Sequence, residues 1–313
     1  MRPLNIVYMG TPLFAVPCLE RLVADRHHVA AVITQPDRPK GRGNKLAFSP
    51  VKEAALAHQL PVIQPESIKD HEFCEKIAAL APDLIVVVAF GQFLPQRLLK
   101  TPPLGCINVH ASLLPQYRGA APIHWAIMNG EKKTGVTTMY MDQGMDTGDM
   151  ILKTETAIGE QETTGDLHDR LSLLGAELLS ETVVLAGEGR APREPQHHED
   201  ATYASLLNRD HEKIDWTQSA HRIHNMVRGL NPWPGAYTLF SDKPVKIWRT
   251  APLETLQSGN HPGQVIAAND DEFIVECGTG AVAVQYVQPA GKRHMSAGEF
   301  SRGYNATAGK HFT

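Results

Sequence analysis

Residues 84–90 read LIVVVAF, seven consecutive apolar residues followed by Gly91. A strand that is apolar at every position is buried on both faces, as in a parallel sheet covered by helices on each side. Three further segments have the length of strands, at 5–9 (NIVYM), 29–34 (VAAVIT) and 105–109 (GCINV). Helical patterns lie between them. The first half of the chain is therefore predicted to form an open, mostly parallel, Rossmann-like α/β sheet.

The second half changes to short strand segments separated by turn residues. These segments lie at 245–250, 264–268, 273–277 and 281–287, and their connections contain Asn-Asp-Asp and Gly-Thr-Gly. This spacing predicts a small antiparallel, OB-like β-barrel. Gly, Pro and charged residues are frequent around the junction of the two halves, as is typical of a linker. We predict a first domain at 1–189, a linker at 190–207 and an OB-like domain at 208–313.

Composition limits the class of protein. The 313 residues are 42% hydrophobic and 20% charged, which suits packed cores and not disorder. No apolar run approaches the roughly 20 residues of a membrane span. The four cysteines are far apart, with no CxxC pair, which argues against a zinc ribbon or a disulfide framework. We expect a cytoplasmic protein without a metal site, and nothing in the sequence requires more than a monomer.

Candidate chemistry is concentrated at the end of the fourth strand segment. Asn108 and His110 are two residues apart, so their side chains point the same way from a strand. An amide donor and an imidazole in one cleft can hold a carbonyl oxygen that gains negative charge. From this pair alone, two residues that satisfy the backbone of a turn remain the alternative.

An acidic loop follows at 142–149, with the sequence DQGMDTGD. It lacks the ligand register of a calcium loop. An aspartate near His110 could orient the imidazole or act as a base. For each of these aspartates, an Asx turn is the structural alternative.

Long stretches of this region resemble the formyltransferases that use 10-formyltetrahydrofolate. The resemblance is carried by NVHASLLPQYRGAAPI at 108–123, GVTTMYMDQGMDTGDM at 135–150 and GLNPWPGAYT at 229–238. It extends from about Asn5 to beyond Tyr286. The sequence resembles in particular those family members whose acceptor is methionyl initiator tRNA. The resemblance implies the formyltransferase fold and a role in translation initiation.

The resemblance also implies a mechanism. The α-amino group of methionine on initiator tRNA attacks the formyl carbon, and Asn108 and His110 hold the oxyanion of the tetrahedral intermediate. Asp146 pairs with His110 and helps to move the proton of the amine. No metal or covalent enzyme intermediate is required. The implied folate contacts are Ser112, Leu113, Leu114 and Pro115.

The segment from 34 to 52 has five basic residues and one acidic residue. On charge alone, an ordinary solvated loop remains the alternative. The resemblance implies that this loop approaches the acceptor stem of the tRNA, through phosphate contacts that depend on salt. The implied contacts are Arg42 and Lys45, with Arg38 and Lys40 beside them. Gln116 and the loop sequence RGNKLAFSP depart from the usual family pattern.

Other functions fit parts of this sequence pattern. Glycinamide ribonucleotide formyltransferase lacks a second domain, so the length argues against it. An amino-sugar formyltransferase that acts on a UDP-sugar remains the alternative, although the basic loop and GLNPWPGAYT favour tRNA. A dinucleotide-binding dehydrogenase is disfavoured because the turn at Gly10 has no GxGxxG. A non-enzymatic nucleic-acid-binding protein would have no use for Asn108, His110 and Asp146.

Overall fold

The structure is a computed structural model that describes residues 2–40, 45–253 and 261–313, with the side chains of Lys40 and Lys45 left outside the description. The chain divides into two units. The first unit contains the residues up to 122, 133–156 and 168–204, and the second contains 123–132, 157–167 and 205–313.

Strands dominate the first unit. They are β1 (Asn5–Gly10), β2 (His28–Ile33), β3 (Arg38–Lys40), β4 (Lys45–Ala47), β5 (Val62–Ile63), β6 (Leu84–Val88), β7 (Cys106–His110), β8 (Arg118–Gly119), β9 (Lys133–Tyr140), β10 (Met150–Ala157) and β11 (Tyr203–Ala204). The helices of the chain are α1 (Val16–Ala24), α2 (Pro50–Ala57), α3 (His71–Ala79), α4 (Gln96–Leu99), α5 (Pro122–Met128), α6 (Thr164–Gly187), α7 (Ala220–Gly229) and α8 (Ala297–Tyr304). Single 3₁₀ turns lie at Leu13–Ala15, His198–Asp200 and Arg209–Glu212.

Seven strands form the main sheet, in the order β10-β9-β7-β6-β1-β2-β5. The five strands from β7 to β5 are parallel, and β9 is antiparallel to β7. All five residues of β6 are buried, as the apolar run predicted. The predicted mostly parallel α/β sheet is confirmed. The strand order reverses between β1 and β6, and such a switch point is where ligands meet the carboxyl ends of parallel strands.

One face of this sheet packs on α3. Its core combines alternate residues of several strands with the apolar side of the helix, including Val7, Ile33, Phe73, Ile77 and Val87. At the carboxyl end of β1, a Cβ atom on Gly10 would lie only 2.8 Å from the Cβ of Ala15. The close approach of strand and 3₁₀ turn therefore requires glycine there.

The second unit is built on an antiparallel sheet. Its strands are β12 (Tyr237–Phe240), β13 (Lys243–Leu253), β14 (Val265–Ala268), β15 (Phe273–Glu276), β16 (Ala281–Pro289) and β17 (Met295–Ser296). The order is β12-β13-β16-β15-β14, with β17 also paired to β16. The small antiparallel domain predicted from the turn spacing is present as a half-barrel.

The carboxyl-terminal residues join the two edges of this half-barrel. Thr313 exchanges two backbone hydrogen bonds with Leu239 of β12, at 2.8 and 3.0 Å. On the other edge, the amide of Val265 donates to Lys310 and the amide of Phe312 donates to Gly263, both at 2.8 Å. The unpaired edges that an open sheet would expose are thereby covered.

A cluster of aromatic rings fills the half-barrel. Phe273 stacks on Phe312 with 5.3 Å between ring centroids, and Phe240 lies 4.8 Å from the same ring. Phe300 of α8 packs edge-on against Phe240 at 5.5 Å. Among the helices in the described part of the chain, none combines the length and apolarity that a membrane span needs.

The segment predicted as a linker has ordered contacts in the first unit as far as 204. Strand β11 pairs with β8, and Gln196 is buried. The boundaries 1–189, 190–207 and 208–313 stay a prediction.

Candidate active site

The carboxyl end of β7 carries the two residues singled out from the sequence. Asn108 is 9% exposed and His110 is 6% exposed. Both lie on a strand held between β6 and β9, so the backbone gives them little freedom. The side-chain amide of Asn108 forms no hydrogen bond with any residue that the structure describes. An amide without a protein partner at the end of a buried strand is a group that a ligand can satisfy.

The contacts of His110 determine which of its nitrogens carries hydrogen. Nε2 lies 3.0 Å from the carbonyl oxygen of Tyr117. A carbonyl only accepts, so Nε2 is the donor and, in the neutral ring, Nδ1 has the free lone pair. Nδ1 lies 3.7 Å from Oδ2 of Asp146. A proton that arrives at Nδ1 is therefore received beside a carboxylate.

Asp146 is held by the backbone around it. Its Oδ2 accepts a hydrogen bond from the amide of Gly119 at 2.9 Å. Its φ is +53°, in the left-handed region that non-glycine residues rarely adopt. Tyr117, which supplies the carbonyl to His110, has a φ of +58°. Such conformations cost on the order of 1–3 kcal/mol each and persist where surrounding contacts impose them.

The other two aspartates of the acidic loop have separate partners. Oδ1 of Asp142 accepts from the amide of Gly144 at 2.9 Å and from Oγ1 of Thr147 at 2.7 Å, so this residue makes an Asx turn. Asp149 lies 3.6 Å from Arg193. Asp146 is thus the loop carboxylate that faces the imidazole.

The segment 112–115 forms a tight turn between β7 and β8. Oγ of Ser112 donates to the carbonyl of Gln116 at 2.6 Å. Thr137 of β9 joins the turn to the sheet, since its Oγ1 donates to the carbonyl of Ser112 at 2.7 Å and accepts from the amide of Leu114 at 3.1 Å. Ser112 and Leu114 are buried, whereas Leu113 and Pro115 keep half-exposed surfaces.

The two ends of the basic segment are joined by hydrogen bonds through Asp37, Lys52 and Gln64. Nζ of Lys52 lies 2.5 Å from Oδ2 of Asp37 and 2.8 Å from Oε1 of Gln64, and Nε2 of Gln64 donates to Oδ1 of Asp37 at 2.8 Å. The hydrogen bond from Lys52 lowers the pKa of Asp37, with Gln64 adding to the effect. The β3–β4 hairpin lies between Asp37 and Lys52 in the chain. The positive charge of Lys52 is compensated by its ion pair with Asp37.

The predicted tRNA contacts are only partly described. Arg38 is exposed on β3. Lys40 and Lys45 are register partners in the hairpin. Arg42 and the side chains of Lys40 and Lys45 lie outside the described residues.

Among the residues that the structure describes, neither a cysteine nucleophile nor a metal cluster accompanies the site. Burial raises the pKa of Cys106, on the same strand as His110, to about 12, so it stays a thiol at neutral pH. Within the described ranges, no group of three or more His, Cys, Asp or Glu side chains is arranged to hold a metal ion.

Sequence reasoning missed three contributors to the site. They are the carbonyl of Tyr117, the hydroxyl of Thr137 and the side chain of Gln196, which donates to the carbonyls of Asp146 and Gly148 at 2.9 and 2.8 Å. A motif search has no signal for a backbone carbonyl. Gln196 lies 50 residues from Asp146 in the chain, so only the tertiary fold joins them.

The mostly parallel α/β sheet presents an amide and an imidazole at the end of β7, and the acidic loop adds a carboxylate beside them. This arrangement suits an enzyme of the acyl-group transfer class. A family model described as formyl transferase matches residues 4–183, and one described as formyl transferase, C-terminal domain, matches residues 206–305. The chain belongs to the formyl transferase family.

Relatives and solved structures agree with this assignment. The chain is 51% identical over 306 residues to a methionyl-tRNA formyltransferase of Clostridioides difficile, covering 98% of this chain and 99% of the relative. It is 53% identical over 300 residues to one of Pelotomaculum thermopropionicum, covering 96% of each.

The solved structures show the fold. An N-formyltransferase of Helicobacter canadensis, in complex with folinic acid and dTDP-3-aminofucose, has a TM-score of 0.68 at 20% identity, covering 90% of this chain and 99% of that one. HypX of Aquifex aeolicus, in complex with tetrahydrofolic acid, has a TM-score of 0.66 at 17% identity, covering 96% of this chain and 47% of that one.

Proposed function

We propose that this chain transfers the formyl group of 10-formyltetrahydrofolate to the α-amino group of methionyl initiator tRNA. The observation that carries the proposal is the length of the match, since relatives named methionyl-tRNA formyltransferase are about half identical over 98% of the chain. The product, formylmethionyl-tRNA, serves translation initiation. The reaction therefore takes place in the cytoplasm, where charged tRNA is used, and we propose that the protein acts there as a monomer.

The chemistry follows from the three side chains at the end of β7 and in the acidic loop. The amine nitrogen bonds to the formyl carbon, and the carbonyl oxygen becomes an oxyanion. The amide of Asn108 donates a hydrogen bond to that oxygen. Nδ1 of His110 accepts the proton of the attacking amine, and the carboxylate of Asp146 stabilises the imidazolium. The bond to N10 of the folate then breaks, and N10 receives the proton.

The barrier to deprotonation is modest. A free α-amino group has a pKa of about 8, so about a tenth of the acceptor is already the free amine at pH 7. Alignment of amine and formyl carbon then contributes as much as proton transfer does. This fits a site built on a central strand, where the described cysteine Cys106 is a thiol and not an activated nucleophile.

We propose that the turn at 112–115 receives the folate. Leu113 and Pro115 offer half-exposed apolar surface to the ring system of the folate. Ser112 holds the turn by its hydrogen bond to Gln116, and Leu114 does so by its hydrogen bond to Thr137. This division gives two of the four residues a contact role and two a supporting role.

For the tRNA, we propose that the acceptor stem meets Arg38, Lys40, Arg42 and Lys45 of the basic hairpin. The second unit offers a further surface around a pocket of about 360 Å³, which Trp248, Arg249, Tyr286 and His294 help to line. Arg249 is exposed and forms no ion pair within the described part of the chain. An unpaired cation beside aromatic rings suits an RNA strand.

An acceptor assay tests this proposal. Labelled 10-formyltetrahydrofolate is mixed with methionyl initiator tRNA, with a UDP-amino sugar or with glycinamide ribonucleotide, and the label is followed. Label on the tRNA alone supports the proposed acceptor. Transfer to the sugar alone would keep the chemistry and replace the acceptor. No transfer to any acceptor, with folate binding intact, would contradict the proposed reaction.

A further inference from the structure

Gln196 is a buried side chain, 6% exposed, that joins two parts of the active site. Its Nε2 donates to the carbonyl of Asp146 at 2.9 Å and to the carbonyl of Gly148 at 2.8 Å. Its Oε1 accepts from the guanidinium of Arg118, from Nε at 3.0 Å and from NH2 at 2.7 Å. All four hydrogen-bonding positions of the amide group are in use.

The orientation of this amide is fixed by its partners. A guanidinium only donates and a backbone carbonyl only accepts, so oxygen must face Arg118 and nitrogen must face the acidic loop. Arg118 is 1% exposed, and its other side-chain partner in the described chain is Nδ1 of His198, at 3.3 Å. A buried cation without a carboxylate needs a strong neutral acceptor, which Gln196 provides.

The hydrogen bonds of Gln196 connect two backbone segments, and each segment contacts His110 or Asp146, the proposed catalytic pair. On one side, the neighbours of Arg118 in the chain are Tyr117, whose carbonyl accepts from His110, and Gly119, whose amide donates to Asp146. On the other side, Gln196 holds the backbone of Asp146 itself, where φ is +53°. Both the imidazole and the carboxylate are therefore positioned by segments that Gln196 ties together.

We propose that Gln196 is a positioning residue for formyl transfer, because it sets the separation between His110 and Asp146. It touches neither substrate and acts through the backbone at 117–119 and 146–148. The inference rests on the proposed function, since it assumes that these two side chains move the proton. It predicts that the chemical step suffers when the bridge is broken, even in a protein that stays folded.

Two substitutions separate positioning from general stability. In Gln196→Glu, the carboxylate can still accept from Arg118, and it gains an ion pair, but it loses both donors to the carbonyls of Asp146 and Gly148. In Gln196→Met, the volume is similar, and both the acceptor and the donors are lost. The glutamate variant is expected to keep its unfolding temperature better than the methionine variant.

The measurement is steady-state formyl transfer, with rates expressed per mole of folded protein. Both variants are expected to lose kcat by about 10- to 100-fold, as a misplacement on the order of 1 Å does in an aligned reaction. KM for the folate and for the acceptor should stay within about twofold of the unsubstituted values. Gln218→Glu, at an exposed glutamine in the second unit, is the matched control and should leave kcat unchanged.

A kcat per mole of folded protein within about twofold of the unsubstituted value in both variants would overturn the inference. If the methionine variant does not fold, the glutamate variant alone decides, through the same comparison of kcat with KM. The ratio of variant to unsubstituted kcat can be measured with whichever acceptor is formylated. Failure of the inference about Gln196 is therefore distinct from failure of the proposed acceptor. If the unsubstituted protein transfers no formyl group to any acceptor, the inference about Gln196 is contradicted together with the proposed function.

Discussion

At the scale of single residues, the site depends on how hydrogen-bonding capacity is assigned. Because the carbonyl of Tyr117 occupies Nε2 of His110, Nδ1 is the nitrogen left for chemistry, and it lies 3.7 Å from Asp146. The sequence motif predicted both side chains as site residues, and Asn108 and His110 lie at a strand end as it indicated. It could not identify the tautomer, since that is set by a backbone carbonyl in a turn with positive φ.

Asp146→Asn tests the carboxylate. The amide oxygen can still accept from Gly119, so the loop should keep its shape while the charge beside His110 is lost. We expect kcat to fall by about 10²- to 10⁴-fold, the range of general acid–base contributions, with folate and tRNA binding retained. Asp149→Asn removes a neighbouring charge that pairs with Arg193 and should cost far less. Near-normal turnover in Asp146→Asn would remove the role given to this residue.

His224 of α7 makes stability depend on pH. Burial lowers its pKa, and the nearby charges of Arg228 and His221 add to the decrease. A histidine with a lowered folded pKa stays neutral in the native state, while the unfolded chain takes up protons below about pH 6.5. Its contribution is therefore complete above pH 6.5 and is lost as the pH falls through the folded pKa.

The check on His224 compares unfolding temperatures of the unsubstituted protein and His224→Gln between pH 7 and pH 5. Glutamine keeps a donor and an acceptor and does not titrate. The unsubstituted protein should lose more stability on acidification than the variant does. Parallel pH curves for the two proteins would show that His224 does not contribute.

At the scale of elements, apolar runs in the sequence predicted strands well. Pairings between strands that are far apart in the sequence could not be predicted. The segments at 5–9 and 29–34 correspond to Asn5–Gly10 and His28–Ile33. The start of α6 also follows a local pattern, since Thr163 and Asp166 form a capping box there. By contrast, β8 pairs with β11 across more than 80 residues, and neither two-residue strand has a periodic pattern of its own.

Helix α7 shows why a local pattern can mislead. Thr217 has a side chain of the right type to cap this helix, but its hydroxyl donates to Oδ1 of Asp215 at 2.6 Å. The amide of Thr217 donates to the same oxygen at 3.0 Å. The cap is Ser219, whose Oγ accepts from the amide of Arg222. Both residues are good caps by type, and the Asx turn at Asp215 decides between them.

The hairpin of β3 and β4 yields a prediction in which two effects oppose each other. Asp37→Ala makes the basic segment more positive, which by charge alone would strengthen tRNA binding. It also removes the acceptor that holds Lys52 and Gln64 at the base of the hairpin. Charge-assisted hydrogen bonds are stronger than neutral ones, so we expect loss of order to prevail and KM for tRNA to rise about tenfold. An unchanged or lower KM would mean that the network does not orient the hairpin.

The carboxyl terminus of the half-barrel gives a stability test. Phe312 is 1% exposed and contacts the rings of Phe240 and Phe273. Phe312→Ala should destabilise the protein by about 3–5 kcal/mol, seen as a lower urea midpoint. The neighbouring His311 is exposed, so His311→Ala is the matched control and should change little. Equal midpoints for the two variants would contradict closure of the half-barrel by this residue.

At the scale of the whole molecule, a net charge of −4 belongs to a protein proposed to bind a polyanion. Binding must then rely on local clusters of cations, because the overall field repels RNA. Each phosphate contact releases counterions, so the apparent affinity for tRNA should fall steeply with salt, while KM for the small folate should vary little. The slope against log salt therefore reflects the total number of phosphate contacts that the protein makes.

Arg42→Ala should raise KM for methionyl initiator tRNA and reduce the magnitude of the salt slope by about one, as expected for one phosphate contact. KM for 10-formyltetrahydrofolate should not change, because the substitution lies outside the turn at 112–115. Arg302→Ala is the control, since its guanidinium pairs with Asp270 at 2.9 Å and its loss should leave the slope unchanged. Equal salt slopes and equal KM values for the unsubstituted protein and Arg42→Ala would exclude this residue from the RNA interface. The second unit would then carry more of the RNA binding, and Arg249 would be the next residue to replace.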